Sequence, residues 1–234
     1  MPTIKVMSAG AVQAMVEAIG KEFERFSGHR LDLNFGTAGA LRERFAGGET
    51  ADLLILPAAI IAALDQDGRL AAGSIRALGR TVTGVAVRAG ASAPDISTPE
   101  AFKRALIAAK TVSYTDPKAG GSSGTFFAAL LDRLGIAEAV NQKAVLGKRG
   151  YEVAQAVADG RAEIGTTFIS EILTVPGARM IGPLPGDLHN SNTYTAAISK
   201  AAAAPEPAKA LLQALSDPAT RARWTAAGLE PAFA

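Results

Sequence analysis

The chain has no cysteine, two histidines and one tryptophan in 234 residues. The first absence excludes disulfides, thiolate metal sites and cysteine nucleophiles, and fits either redox compartment. His29 and His189 lie far apart without metal-ligand spacing, so no metal site is expected. His29, in Ser27-Gly28-His29-Arg30, reads as a solvated turn residue. The longest strongly apolar stretch, residues 53–64, is too short to span a bilayer and is broken by Pro57, so it reads as a buried strand followed by a helix. No direct membrane insertion is expected. Basic and acidic residues nearly cancel, 24 against 22, there is no Lys/Arg block, and the few aromatics are scattered. A nucleic-acid partner is therefore not expected. A P-loop lysine motif, a GxSxG elbow and a GxGxxG turn after the first strand are also missing, and no cofactor is expected.

The first ten residues, MPTIKVMSAG, run straight into a strand pattern without a basic segment, an apolar h-region or a cleavage site. The expected location is periplasmic if a signal peptide has been removed, and otherwise cytoplasmic.

Apolar residues make up 48% of the chain, enough for a sizeable core in one large domain or in two lobes of about 100 residues each. The pattern alternates strand and helix. Residues 4–7, 31–35 and 53–56 read as strands. Residues 11–26 carry Val12, Met15, Val16, Ile19, Phe23 and Phe26 near helical spacing, and Gly28 stops that helix. Residues 40–45 and 58–64 read as further helices. A second unit repeats the alternation, with strands at 111–114, 143–146 and 162–166 and helices at 123–134, 152–158 and 168–173. Ser97 and Glu100 stand at capping-box spacing before another helix. Helices at 205–215 and 218–227 close the chain, the second opened by Asp217-Pro218. The alternating runs 81–88 and 193–199 read as hinge strands by which the chain leaves a first lobe and returns. The expected class is α/β with a parallel sheet, divided into lobe I (1–82 and 196–234) and lobe II (83–195), with a ligand cleft between two Rossmann-like lobes.

Four strand-like runs end in small or hydroxyl residues and open directly into a helix: Ser8-Ala9-Gly10, Thr37-Ala38-Gly39, residues 120–125 (GGSSGT), and Lys148-Arg149-Gly150-Tyr151. A helix start carries unpaired N–H groups and the positive end of the macrodipole, and small residues let a ligand approach them. Brought to one crevice, four such ends would trap an anion.

The segments SAGA, GTAGALRERF, ADLLILPAA, YTDPKAGGSSGTFFAALLDRLGI, VADGRAEIGTTFISEI, IGPLPGDLHNSNTYTAAIS and ALLQALSDPATRARWTAAGLEP, in this order, resemble the molybdate-binding-protein-like branch of type II periplasmic solute-binding proteins. No single segment is specific; seven in the same order are. The resemblance implies two α/β lobes closing over an oxyanion held by backbone N–H groups and hydroxyls. It implies ligand contacts from Ser8, Ala9, Thr37 and Ala38, from Gly121, Ser122, Ser123 and Gly124, and from Arg149, Gly150 and Tyr151. The family's tyrosine falls on Phe168, which cannot donate a hydrogen bond, and this counts against tetrahedral molybdate.

Lys118, Lys148, Arg149, Arg42 and Arg44 lie in or just after these segments. If Arg149 or Lys118 faces the crevice, a carboxylate ligand becomes attractive, because guanidinium pairs with it in bidentate fashion. Glu171 and Glu152 near the same edge would repel an anion unless protonated or paired. His189, with Asn190, Asn192 and Tyr194, follows a Pro/Gly loop.

The leading reading is a monomeric, non-catalytic receptor for a small anion, oxyanion or carboxylate, presented to an ABC-transporter membrane component. The competing reading comes from the same branch, which includes aconitate isomerases: a cofactor-free enzyme moving a proton between carbons of a tricarboxylate, with His189, Tyr151, Lys148 and Glu171 as candidate proton carriers.

Overall fold

A computed structural model describes residues 2–233. The chain divides into two compact units: one runs up to Arg80 and resumes at Asn192, and the other is Thr81–Ser191.

The first unit begins with β1 (Thr3–Ala9), a 3-10 turn (Gly10–Val12), α1 (Gln13–Ser27), β2 (Arg30–Gly36), α2 (Ala38–Ala46), β3 (Leu53–Pro57) and α3 (Ala58–Gln66). The chain then passes through β4 (Arg76–Arg88) into the second unit: α4 (Pro99–Ala108), β5 (Val112–Thr115), α5 (Ser122–Arg133), α6 (Ala137–Asn141), β6 (Ala144–Gly147), α7 (Gly150–Ala158), β7 (Ile164–Phe168), α8 (Ile169–Ile172) and β8 (Ala178–Pro183). It returns along β9 (Ser191–Ile198) and ends with α9 (Pro205–Leu215), α10 (Arg221–Ala226) and β10 (Glu230–Pro231).

In the first unit β1 lies between β2 and β3, parallel to both, and β9 adds to β3 antiparallel. All five residues of β3 are buried, as expected of a strand covered on both faces, which is why the sequence reads as an unbroken apolar run there. Met7, Leu41, Leu54, Leu56, Ile61 and Leu64 form a core between the sheet and helices α2 and α3. The buried carboxylate of Asp52 accepts from Lys5 N at 2.8 Å and from Ala204 N at 2.9 Å, and so ties the returning segment before α9 to the sheet.

In the second unit β5 lies between β6 and β7, parallel to both; β4 pairs antiparallel with β7 and with β8. Its core is built from Phe102, Leu106, Tyr114, Phe127, Leu130, Leu131 and Ile164. The Tyr114 hydroxyl donates to Asn141 Oδ1 at 2.5 Å, and burial raises its pKa.

The expected α/β class, with parallel strands at the centre of each unit's sheet, is present, with corrections in detail. Its sheets are parallel at their centres and carry antiparallel β9, β4, β8 and β10. The α-helix after β1 starts at Gln13, because Gly10–Val12 winds as a 3-10 turn first. Phe26 is 78% exposed rather than in the core, and the Arg25 guanidinium lies 4.5 Å from its ring centre. The cap of α4 is Thr98, whose Oγ1 accepts from Ala101 N at 3.1 Å; Ser97 instead donates its hydroxyl to Asp95. His29 is half-buried and stacks on Phe23, with ring centres 6.1 Å apart, rather than standing in solvent.

Candidate functional site

Parallel register decides which candidate residues meet. In the first unit Ser8 lies opposite Phe35 of β2 and Ile55 of β3, and Ala9 opposite Gly36. The Ser8-Ala9 and Thr37-Ala38 segments therefore leave the sheet side by side at the C-terminal ends of their strands, where ligands bind in open α/β sheets. Thr37 has extended backbone (φ −71°, ψ 151°) and caps α2: its Oγ1 accepts from Ala40 N at 3.3 Å. Ser8 is fully buried, its hydroxyl 3.3 Å from Ala9 O, and Ala9 and Ala38 are buried beside it. Arg42 and Arg44 are exposed, and Arg44 pairs with Glu49.

The second unit assembles its own set in the same way. Thr115, the last residue of β5, lies opposite Gly147 of β6, and Tyr114 lies opposite Thr166 of β7. The three strands thus end at one edge, and α5, α7 and α8 begin just past it. Gly120 takes a left-handed φ of 71° before Gly121, the N-cap of α5. Gly124 packs so closely on β5 that an added Cβ would lie 2.2 Å from Thr115 O. Ser123 is buried, with its hydroxyl 3.3 Å from that of Thr115. Ser122, the first residue of α5, is half-buried. Lys118 is exposed, on a turn fixed by its N–H donating to Asp116 Oδ1 at 2.9 Å.

The start of α7 differs from the expectation of an open anion trap. Glu171, the third residue of α8, places its carboxylate against Gly150: a Cβ there would lie 1.8 Å from Glu171 Oε2. The carboxylate accepts from Thr167 Oγ1 at 2.7 Å and from the backbone N–H groups of Phe168 and Gly150. Burial raises its pKa from 4.5 to about 7, against the lowering effect of those three donors. The residue is 8% exposed, so desolvation of the charged form outweighs the hydrogen bonds. Glu152 serves the same turn, accepting from Lys148 N at 2.8 Å. Phe168 is buried at the junction of β7 and α8, three residues before Glu171, and it is its backbone N–H that donates to this carboxylate.

The other candidate proton carriers stand differently. Tyr151 is 43% exposed, Lys148 and His189 are exposed, and Arg149 is half-buried. His189 ends a 3-10 turn, its N–H donating to Gly186 O. Its neighbour Asn190 holds Thr83 Oγ1 at 3.0 Å, whereas Tyr194 is buried within β9 opposite Pro57. Thr167 and Thr115 carry hydroxyls that hold candidate residues in place, and sequence reading missed both; their position as last or next-to-last residues of apolar strands is the signal that marks them. Among the described residues no three His, Cys, Asp or Glu side chains come together as a metal site, and no helix is long and apolar enough to cross a membrane.

The chain resembles known proteins along its whole length. It is 30% identical, over 98% of its own residues and 88% of the relative's, to an aconitate isomerase from a Pseudomonas species. The periplasmic molybdate-binding protein of Azotobacter vinelandii superposes with a TM-score of 0.74 at 19% identity, over 97% of this chain and 98% of the other. A sulfate-binding protein of Mycobacterium tuberculosis superposes with a TM-score of 0.75 at 17% identity, over 99% and 88%. Residues 4–230 match the model of the bacterial extracellular solute-binding proteins, and the chain belongs to that family.

Proposed function

We propose that the protein is a receptor for a small anion, an oxyanion or carboxylate, which it delivers outside the cytoplasm to an ABC-transporter membrane component. The observation that carries this reading is the convergence, within each unit, of small and hydroxyl residues at the C-terminal ends of parallel strands: Ser8 with Thr37 in one, and Gly121–Gly124 with the 149–151 turn in the other. Helix starts at such edges present N–H groups that bind anions without a counter-charge. Membership of a solute-binding family, and the molybdate and sulfate receptors among the structural relatives, support the same class. Phe168 in place of a hydrogen-bond donor favours a carboxylate over tetrahedral molybdate. Isothermal titration against molybdate, tungstate, sulfate and a panel of di- and tricarboxylates tests the proposal; submillimolar binding of at least one is expected, and binding of none rejects it.

A second reading is supported by the isomerase relative and by Glu171. A proton moved between carbons of aconitate needs a group that takes and returns it near the working pH, and a carboxyl with a pKa of about 7 is suited to that task. Incubation with cis- or trans-aconitate, followed by chromatography of the other isomer, decides between the readings: interconversion makes the protein an enzyme, and binding without turnover leaves a receptor. Turnover unaffected by His189→Ala would remove that histidine from consideration as the base.

A further inference from the structure

We propose that Glu171 makes anion capture proton-coupled: its buried carboxyl takes up a proton from solvent as an anion binds at the neighbouring N–H groups of α7. The inference rests on the anion-binding reading above and adds the charge balance of the site.

The argument begins with geometry. Glu171 accepts from the N–H of Gly150, the first residue of α7, and Gly150 has no Cβ because the carboxylate fills that space. The protein's own carboxylate therefore sits where an external anion would otherwise sit. Tyr151, the second residue of α7, is exposed, and its backbone N–H is the next donor of the helix start. A ligand anion accepting from it would stand within roughly 4–6 Å of the Glu171 carboxylate, a separation at which like charges strongly raise a carboxyl pKa. The site relieves that repulsion by holding Glu171 in its neutral form. One proton passes from water to a Glu171 oxygen, the ligand keeps its charge, and no bond other than that O–H is formed.

The charged residues around Glu171 do not account for its raised pKa. Its own helix α8 carries no further charged residue, and neither does β7. On α7, Glu152 is engaged with Lys148 N, Arg149 precedes the helix, and Asp159 lies past its far end. On β8, Arg179 donates to Ala91 O, and on β4 Arg76, Arg80 and Arg88 are exposed. None of these charges contributes to the raised pKa, which burial produces against the Thr167, Phe168 and Gly150 donors.

Calorimetric titration with sulfate and with trans-aconitate, at pH 6.0 to 8.5 in pairs of buffers with different ionisation enthalpies, measures the protons taken up. The wild type is expected to take up close to one proton per anion at pH 8 and to lose affinity about tenfold for each pH unit above 7. Glu171→Gln is expected to bind more tightly than the wild type at pH 8.5, with no uptake and no pH slope. Thr167→Val, which removes a donor to the charged form, should move the break in the pH profile upward. Binding by the wild type without proton uptake, or a slope that survives in Glu171→Gln, would overturn the proposal while leaving the receptor reading intact. If no anion of the receptor panel binds to any of the proteins, both readings fall together.

Discussion

Two helix starts in the second unit share a sequence signature and differ in what fills them. At α5 the N-cap is Gly121, no acid lies in the first turn, and Gly124 presses on the backbone of Thr115. At α7 the first N–H already meets a carboxylate from α8, and Gly150 is small because Glu171 needs the space. A glycine at a helix start thus has two meanings: close packing of the helix on its strand, or room for an anion. At α7 that anion is internal and titratable.

The largest expected effect breaks the comparison through pH. The Glu171 pKa is about 7 in the folded protein, raised from its ordinary 4.5, so the folded state binds more protons than the unfolded chain between those values. The stabilising contribution is complete below about pH 4.5 and is lost as the pH rises through 7, a change on the order of 3 kcal/mol as an upper bound. Denaturant unfolding of the wild type and Glu171→Gln across pH 4.5–8 should show this slope in the first only. A parallel pair of curves would mean that Glu171 is not neutralised by the fold.

Smaller effects sharpen the contrast. Gly124→Ala sets a Cβ against a backbone oxygen that cannot move aside and should cost roughly 1–3 kcal/mol in thermal or urea unfolding. Gly150→Ala meets a side chain instead, so its cost should be recovered in part when Glu171→Ala is added, with a coupling energy of about 1 kcal/mol or more. Additivity at this pair would deny the contact. Thr37→Ala, which removes the α2 cap, should lower stability by about 1 kcal/mol. The exposed His189→Ala should change stability by less than about 0.5 kcal/mol, and a larger loss would show that its loop bears on the fold.

What the sequence makes legible is local. Strand ends running into helix starts show as apolar runs closing on Ser, Thr and Gly, so Ser8, Thr37, Gly121–Gly124 and the 149–151 turn stand out before any contact is known. The hydrophobic spacing of α1 and the Asp217 cap are likewise short-range facts; Asp217 Oδ1 accepts from Ala219 N at 2.8 Å. Strand β8 hides in a Pro/Gly-rich stretch, because its pairing with β4 rather than its own propensity makes it a strand. Phe26 has the spacing of a core residue and falls outside, since the last turn of α1 runs past the apolar surface. The occupation of α7 by Glu171 depends on β7 returning beside β5 and turning into α8, a pairing between distant segments that no local pattern encodes.

The central claim, that the hydroxyls and N–H groups at the strand ends of the first unit hold a small anion, is tested most directly by the affinity of the Ser8→Ala/Thr37→Ala double variant for whichever anion the wild type binds. Each lost hydrogen bond to a charged ligand is worth roughly 1.5–3 kcal/mol, so the dissociation constant should rise by about two orders of magnitude or more while the far-ultraviolet spectrum is retained. An unchanged dissociation constant in a folded double variant would contradict the account and move the site elsewhere.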